Sequence, residues 1–228
     1  MSQAAGLLAK VPMFPLPRMV LLPKAVLPLH IFEQRYRQMI ADALEGEQLL
    51  TIAHLQEGFE AVPDGIDPPV FDHCCVGTII DHRRLEDGRY NILVQGAQRV
   101  RIAREYGSET EGKLYRRVDL EPQAQSKAFE IDLADQRDRL REIITREPIA
   151  GTPLEGQVLK LLDSPLPTAE LADVLAFEMV ADPVVKQAVL EERDVVRRVR
   201  RVVRHLKRLF PDEEALALRE GRSNLGDD

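Results

Sequence analysis

Residues 12–36, PMFPLPRMVLLPKAVLPLHIFEQRY, constrain this chain more than any other stretch, because five prolines divide their short apolar runs. Proline fixes φ near −65° and has no N–H to give to a ladder. The runs Val20–Leu22 and Val26–Ile31 therefore read as short, bent strands at a sheet edge rather than as one long strand. The pattern then changes. Tyr36, Met39, Ile40, Ala43 and Leu44 follow a 3.6-residue period, which predicts a helix from Phe32 to about Leu44, stopped by Gly46.

Two regimes meet near residue 122. The first is strand-rich, with apolar runs at Leu49–Leu55, Val76–Ile80, Tyr90–Ile102 and Arg116–Leu120. Val100 and Ile102 alternate with Arg99 and Arg101 as in a half-buried strand. Asp87-Gly88 is a hairpin signal, and Gly96 inside a strand marks a bulge or a close backbone approach. The second regime is helical. Ser126 is placed to cap a helix running to about Arg146, with Phe129, Leu133, Leu140, Ile143 and Ile144 as its apolar stripe. Short helices are expected near 153–162 and 168–179, the second with a capping signal at Thr168. Pro183 suits a helix start, and the helix it opens can reach Phe210, about 27 residues or roughly 40 Å. The fold class expected is α+β. A small twisted, barrel-like β domain with one helix spans 10–122, and an all-α bundle containing the long C-terminal helix spans 126–210. A flexible tail is expected over 211–228.

Composition narrows the function classes. Hydrophobic residues at 44% and charged residues at 30% of 228 describe an ordinary globular protein. No apolar run approaches the ~20 residues of a membrane span, and the opening MSQAAGLLAKVP lacks the regions of a signal peptide. A cytoplasmic location without a membrane partner is the expectation. A net charge of −7 argues mildly against non-specific nucleic-acid binding. Cys74 and Cys75 are neighbours whose side chains point to opposite faces of a strand. A disulfide between them would be strained, so buried, reduced thiols are expected. His73 beside them has no second Cys/His pair at zinc-ligand spacing, and no metal site is expected.

Other chemistries fail on context. Gly107-Ser-Glu-Thr-Glu-Gly112-Lys113-Leu114 matches a phosphate-loop pattern except that Leu114 stands where Mg²⁺ needs Ser or Thr. Glu109 and Glu111 would repel phosphate, and no helix follows to receive an anion. The segment reads as a hairpin loop. None of Ser2, Ser108, Ser126, Ser164 or Ser223 sits in a nucleophile-elbow context, and neither cysteine has a protease signature around it. Catalytic residues and cofactors are expected to be absent.

The opening segment resembles the start of the Lon protease N-terminal (substrate-binding) domain family, roughly LPLRxxVLFPxxxxPLxIxxxR. The matching residues are Pro15, Leu16, Pro17, Arg18, Val20, Leu21, Pro23, Pro28, Leu29, Ile31 and Arg35. A second match lies in residues 77–102, where Gly77, Thr78, Asp87, Gly88, Leu93, Val94, Gly96, Arg99 and Ile102 fall on the family pattern. LADVL (171–175) and KQAVLEERDVVRRV (186–199) resemble the family's C-terminal helices. Lon proteases cleave with a Ser–Lys pair in a separate domain and unfold substrate with an ATPase module, and neither has a counterpart in this sequence. The resemblance implies a stand-alone, bacterial-type recognition domain that hydrolyses neither peptides nor ATP.

Such a module would recognise protein partners or unfolded, extended segments, as in protein quality control. An apolar groove or exposed sheet edge would capture the segment, with main-chain hydrogen bonds supplying affinity. Met19, Leu21, Leu27, Phe32 and Tyr36 are the candidates for that groove, although the same residues can fill a core. His30–Tyr36 mixes polar and aromatic residues, but Glu33 and Arg35, two apart, share no helix face. The rival surface is the end of the long helix, where Arg197, Arg201, Arg204 and Arg208 flank a stripe of Val195, Val199, Val202, Leu206 and Leu209. A solvated face explains such arginines most simply. A nucleic acid or an acidic partner is the alternative, although no interleaved aromatics suggest base stacking.

Overall fold

Prolines in the opening segment are accommodated by a strand that pairs on one side at a time. The computed structural model describes residues 6–59, 67–108 and 110–212. In it β1 (Leu8–Leu16) pairs antiparallel with β6 (Arg117–Pro122) through Leu8–Pro12, and parallel with β3 (Leu49–His54) through Met13–Leu16. Pro12 and Pro15 thus each face one ladder partner, and a missing N–H costs no second ladder. This strand was not expected from the sequence, where the prolines hid it. Val26–Ile31 does form a strand, β2, and α1 (Gln34–Glu45) follows it.

β3 pairs antiparallel with β4 (His73–Arg84), and β4 with β5 (Tyr90–Tyr106). β5 is long enough to serve two partners on its other side. Tyr90–Gln95 pairs with β2, and Val100–Tyr106 with β6. The β5–β6 pairing closes β1, β3, β4, β5 and β6 into a barrel and leaves β2 outside the ring as a sixth strand. Met13, Val76, Val100 and Leu120 fill the interior. Phe14, the neighbour of Met13, points the other way, its ring 4.4 Å from that of Tyr36 on α1. The adjacent cysteines divide likewise. Cys74 belongs to the interior cluster, both thiols are free and buried, and burial pushes the Cys74 thiol well above its usual pKa.

Val20–Leu22 is not a strand. It is a buried, irregular crossing between Arg18 and Lys24, both at positive φ (54° and 68°). The backbone that follows it, Lys24–Ala25, is tied to Gly96 of β5. Lys24 N–H donates to the Gly96 carbonyl at 2.7 Å, and Gly96 N–H donates to the Ala25 carbonyl at 2.9 Å. A Cβ on Gly96 would run into the carbonyl oxygen of Leu22. The proline-rich opening and the glycine-containing strand, read separately in the sequence, meet at this residue.

The chain divides into two compact units, Met1–Gln125 with Ala176–Arg193, and Ser126–Leu175 with Asp194–Asp228. The sequence reading placed all of 126–210 in the bundle, whereas 176–193 group with the barrel. The reason is α5 (Pro183–Glu191). Its buried Gln187 donates to the His73 carbonyl on β4 at 3.0 Å and to Glu191 at 2.9 Å. Buried Arg99 of β5 donates to the Leu190 carbonyl at 3.1 Å, and Lys186 lies 4.8 Å from the Phe177 ring centroid. Gln187 and Arg99 thereby tie this helix to β4 and β5 of the same unit.

The second unit holds α2 (Glu130–Ile144), α3 (Pro153–Asp163), most of α4 (Thr168–Met179) and α6 (Val195–Leu209). The single long helix expected from Pro183 to Phe210 is broken at Glu192–Asp194, where both Glu192 and Asp194 are extended. Asp194 accepts from Arg197 N–H at 2.9 Å and so starts a new helix rather than continuing the old one. Ser126, expected to cap α2, instead accepts from Val195 N–H at 2.9 Å in the first turn of α6. Phe129 is exposed and stands at the N-cap of α2, outside its stripe. Arg137 gathers the α3–α4 turn by donating to the carbonyls of Leu162, Ser164 and Leu166. Arg198 faces inward and pairs with Asp173 at 3.2 Å, both only 2% exposed. The tail expectation over 211–228 falls, beyond Asp212, outside the described residues.

Candidate functional site

β2 and the adjoining halves of β4 and β5 make a three-stranded ribbon beyond the barrel. Register pairs Pro28 with Leu93 and His30 with Asn91, then Asp81 with Leu93 and Arg83 with Asn91. Because side chains alternate, Leu27, Ile31, Ile92 and Val94 share one face and are buried. Pro28, His30, Asp81, Arg83, Asn91 and Leu93 share the other. With Leu29 and Ile92 they line a groove of about 500 Å³. Among the described residues β2 pairs only with β5, so the flank of the groove is an open strand edge.

The polar groups are held in place. His30 Nδ1 lies 2.6 Å from Asn91 Oδ1, and its Nε2 lies 3.3 Å from an Arg89 guanidinium nitrogen. A guanidinium only donates, so Nε2 accepts and the ring proton sits on Nδ1, donating to Asn91. Phe32 is 62% exposed, and its ring stacks on His30 with centroids 6.3 Å apart. Ile80, in the bulge between Ile79 and Asp81, is also exposed. At the hairpin tip Gly88 takes φ 79°, and Asp87 accepts from Arg89 N–H at 3.1 Å and from its side chain at 2.5 Å. The Arg89 backbone bond, aided by its guanidinium, holds the Asp87 carboxyl below the usual range. Arg37 of α1 donates to the Asp87 carbonyl at 3.2 Å and steadies the tip. The site offers apolar surface, a few fixed polar groups and an unpaired backbone edge.

The five residues expected to form a groove are separated by the fold. Leu21, Leu27 and Tyr36 are buried in the core, where burial raises the Tyr36 pKa. Met19 is half-buried, and Phe32 alone is well exposed. Leu93, Asn91, Asp81 and Arg83 were missed. The register fixed by Asp87-Gly88 contained that signal, because counting outward from the turn puts all four on one face. Glu33, just outside α1, pairs with Arg35 at 2.8 Å, a contact the helix-face argument did not foresee. Arg197, Arg201, Arg204 and Arg208 are all exposed on α6, with Arg197 3.9 Å from Asp194.

The phosphate-like segment is a loop between β5 and β6 containing a 3-10 turn at Thr110–Gly112. Lys113 is engaged with Asp42 at 2.9 Å. Glu111 accepts from Lys10 at 2.7 Å and Arg117 at 2.9 Å, bonds that hold its carboxyl below the usual range. Glu109 lies outside the described residues. Among the described residues no three or more His, Cys, Asp or Glu side chains gather to hold a metal ion, and no helix is long and apolar enough to cross a membrane.

Comparison with known proteins places these features in context. The chain matches the model of the ATP-dependent protease La (LON) substrate-binding domain over residues 10–208. It is 25% identical over 213 residues to the Lon protease of Dictyoglomus thermophilum, covering 91% of this chain and 25% of that protein. Against the Lon protease of Desulfovibrio desulfuricans it is 30% identical over 204 residues, covering 86% and 22%. Its fold is similar to the N-terminal domain of the Mycobacterium avium complex Lon protease, with a TM-score of 0.63 at 19% identity, covering 87% of this chain and 98% of that one. The chain spans about a quarter of the length of these curated relatives. What it matches is the substrate-binding region, not the peptidase or ATPase domains.

Proposed function

Because the chain belongs to the ATP-dependent protease La (LON) substrate-binding domain family, we propose that it is a non-catalytic module that binds extended or unfolded polypeptide along β2 and the groove beside it. The observation that carries this reading is the open β2 edge flanking exposed Phe32 and Pro28 and half-buried Leu93. An added strand would exchange main-chain hydrogen bonds with β2, and alternate side chains would enter the groove. Pro28 has no N–H to offer, which limits indiscriminate edge pairing. Burying an apolar side chain of leucine or phenylalanine size contributes about 1.5–3 kcal/mol, so a few such contacts give the weak, reversible binding that suits recognition of many sequences. A role in protein quality control in the cytoplasm fits this reading.

Titration of the full chain with a permanently unfolded model protein, followed by fluorescence anisotropy, tests it. Binding is expected, with Leu93→Asp and Phe32→Asp each weakening it roughly tenfold. Absence of binding, or binding by both variants as tight as by the unaltered chain, would contradict the proposal.

A further inference from the structure

In the helical unit, a groove of about 430 Å³ runs between α2 and α6. Arg139 and Arg146 line it from the α2 side, and Arg200, Arg204 and Lys207 from α6, while Glu142 alone of the lining residues is acidic. Ile143 and Val203 add apolar surface. Of Arg197, Arg201, Arg204 and Arg208, only Arg204 lines this groove. Arg197, Arg201 and Arg208 occupy the outward face of α6. The cluster was invisible in the linear sequence because it is assembled from two helices about 60 residues apart, α2 and α6.

A carboxylate already sits at one end. The side chain of Asp212 lies 3.6 Å from Arg146 and 3.5 Å from Lys207. Arg139, Arg200 and Arg204 have no carboxylate partner among the described residues. We infer that this groove docks acidic polypeptide segments, with side-chain carboxylates taken by Arg139, Arg200 and Arg204 and an apolar side chain set against Ile143 and Val203. Guanidinium forks match carboxylates in a bidentate fashion, and Asp212 already rests a carboxylate within ion-pair distance of two of the groove's cations. Nucleic acid fits less well. No aromatic residue lines the groove to stack a base, whereas Ile143 and Val203 give an apolar side chain of a peptide a seat. The site shares no residue with the β2 groove, so the two readings stand or fall separately.

Fluorescence anisotropy on the full chain, with a short labelled peptide alternating Glu and Leu, tests the inference. The peptide should bind, its Gln-for-Glu counterpart should not, and added salt should weaken the complex. The double variant Arg200→Glu, Arg204→Glu should lose about tenfold in affinity or more. Arg200→Gln with Arg204→Gln, which deletes charge without reversing it, should move in the same direction and guards against misfolding. Asp212→Asn, which removes the resident carboxylate, should tighten binding by roughly two- to fivefold. Equal binding of the Gln peptide, indifference to the arginine variants, or tighter binding by a single-stranded oligonucleotide of equal charge would each overturn the inference.

Discussion

Gly96 is hydrogen-bonded on both its N–H and its carbonyl to the Lys24–Ala25 backbone, while the Leu22 carbonyl closes over the space a Cβ would need. A flexible side chain could swing aside there, but a backbone carbonyl cannot. Gly96→Ala is therefore expected at the upper end of the overpacking range, a loss of about 3 kcal/mol, read as a lowered urea midpoint. Gly156 in α3 has nothing within 4 Å of its would-be Cβ. Gly156→Ala should raise stability by roughly 0.5–1 kcal/mol. Equal effects of the two substitutions would show that the Gly96 contact does not constrain the fold.

At the scale of elements, buried ion pairing decides how α6 is seated. Arg198 and Asp173 are each 2% exposed and lie 3.2 Å apart. Removing one partner leaves a charge stranded in the core, so Asp173→Ala should cost about 3–5 kcal/mol. Replacing both by Met and Leu should recover most of that loss, because two apolar groups restore packing without a stranded charge. Denaturant titration of the three proteins checks this, and a double variant no better than Asp173→Ala would contradict it. The same helix shows why the long-helix expectation failed. The stripe itself begins at Val195, the first residue of α6, and just before it Asp194 offers its carboxylate to Arg197 N–H, a local bond that starts a new helix there. Periodicity identified Val195, Val199, Val202 and Leu206 as buried, whereas Leu209, at the end of the same stripe, is exposed. The period could not register a competing cap at Asp194, immediately before the stripe.

Across the whole molecule, the barrel-plus-bundle architecture was legible because hairpin, period and proline signals agreed with one another. The strand at Leu8–Leu16 was not, since its prolines become tolerable only when β3 and β6 each pair with one half of it. Leu21 and Leu27 are apolar residues in a motif-bearing segment, and the sequence has no means of separating a core face from a recognition face. Register does separate them, and it moves the candidate surface to Phe32, Pro28 and Leu93. The most direct measurement of that claim is amide hydrogen exchange across the chain, with and without an unfolded polypeptide free of acidic side chains. Slowed exchange in Val26–Ile31, with α6 unchanged, is the predicted result. No slowing in β2, or slowing confined to α2 and α6, would contradict it.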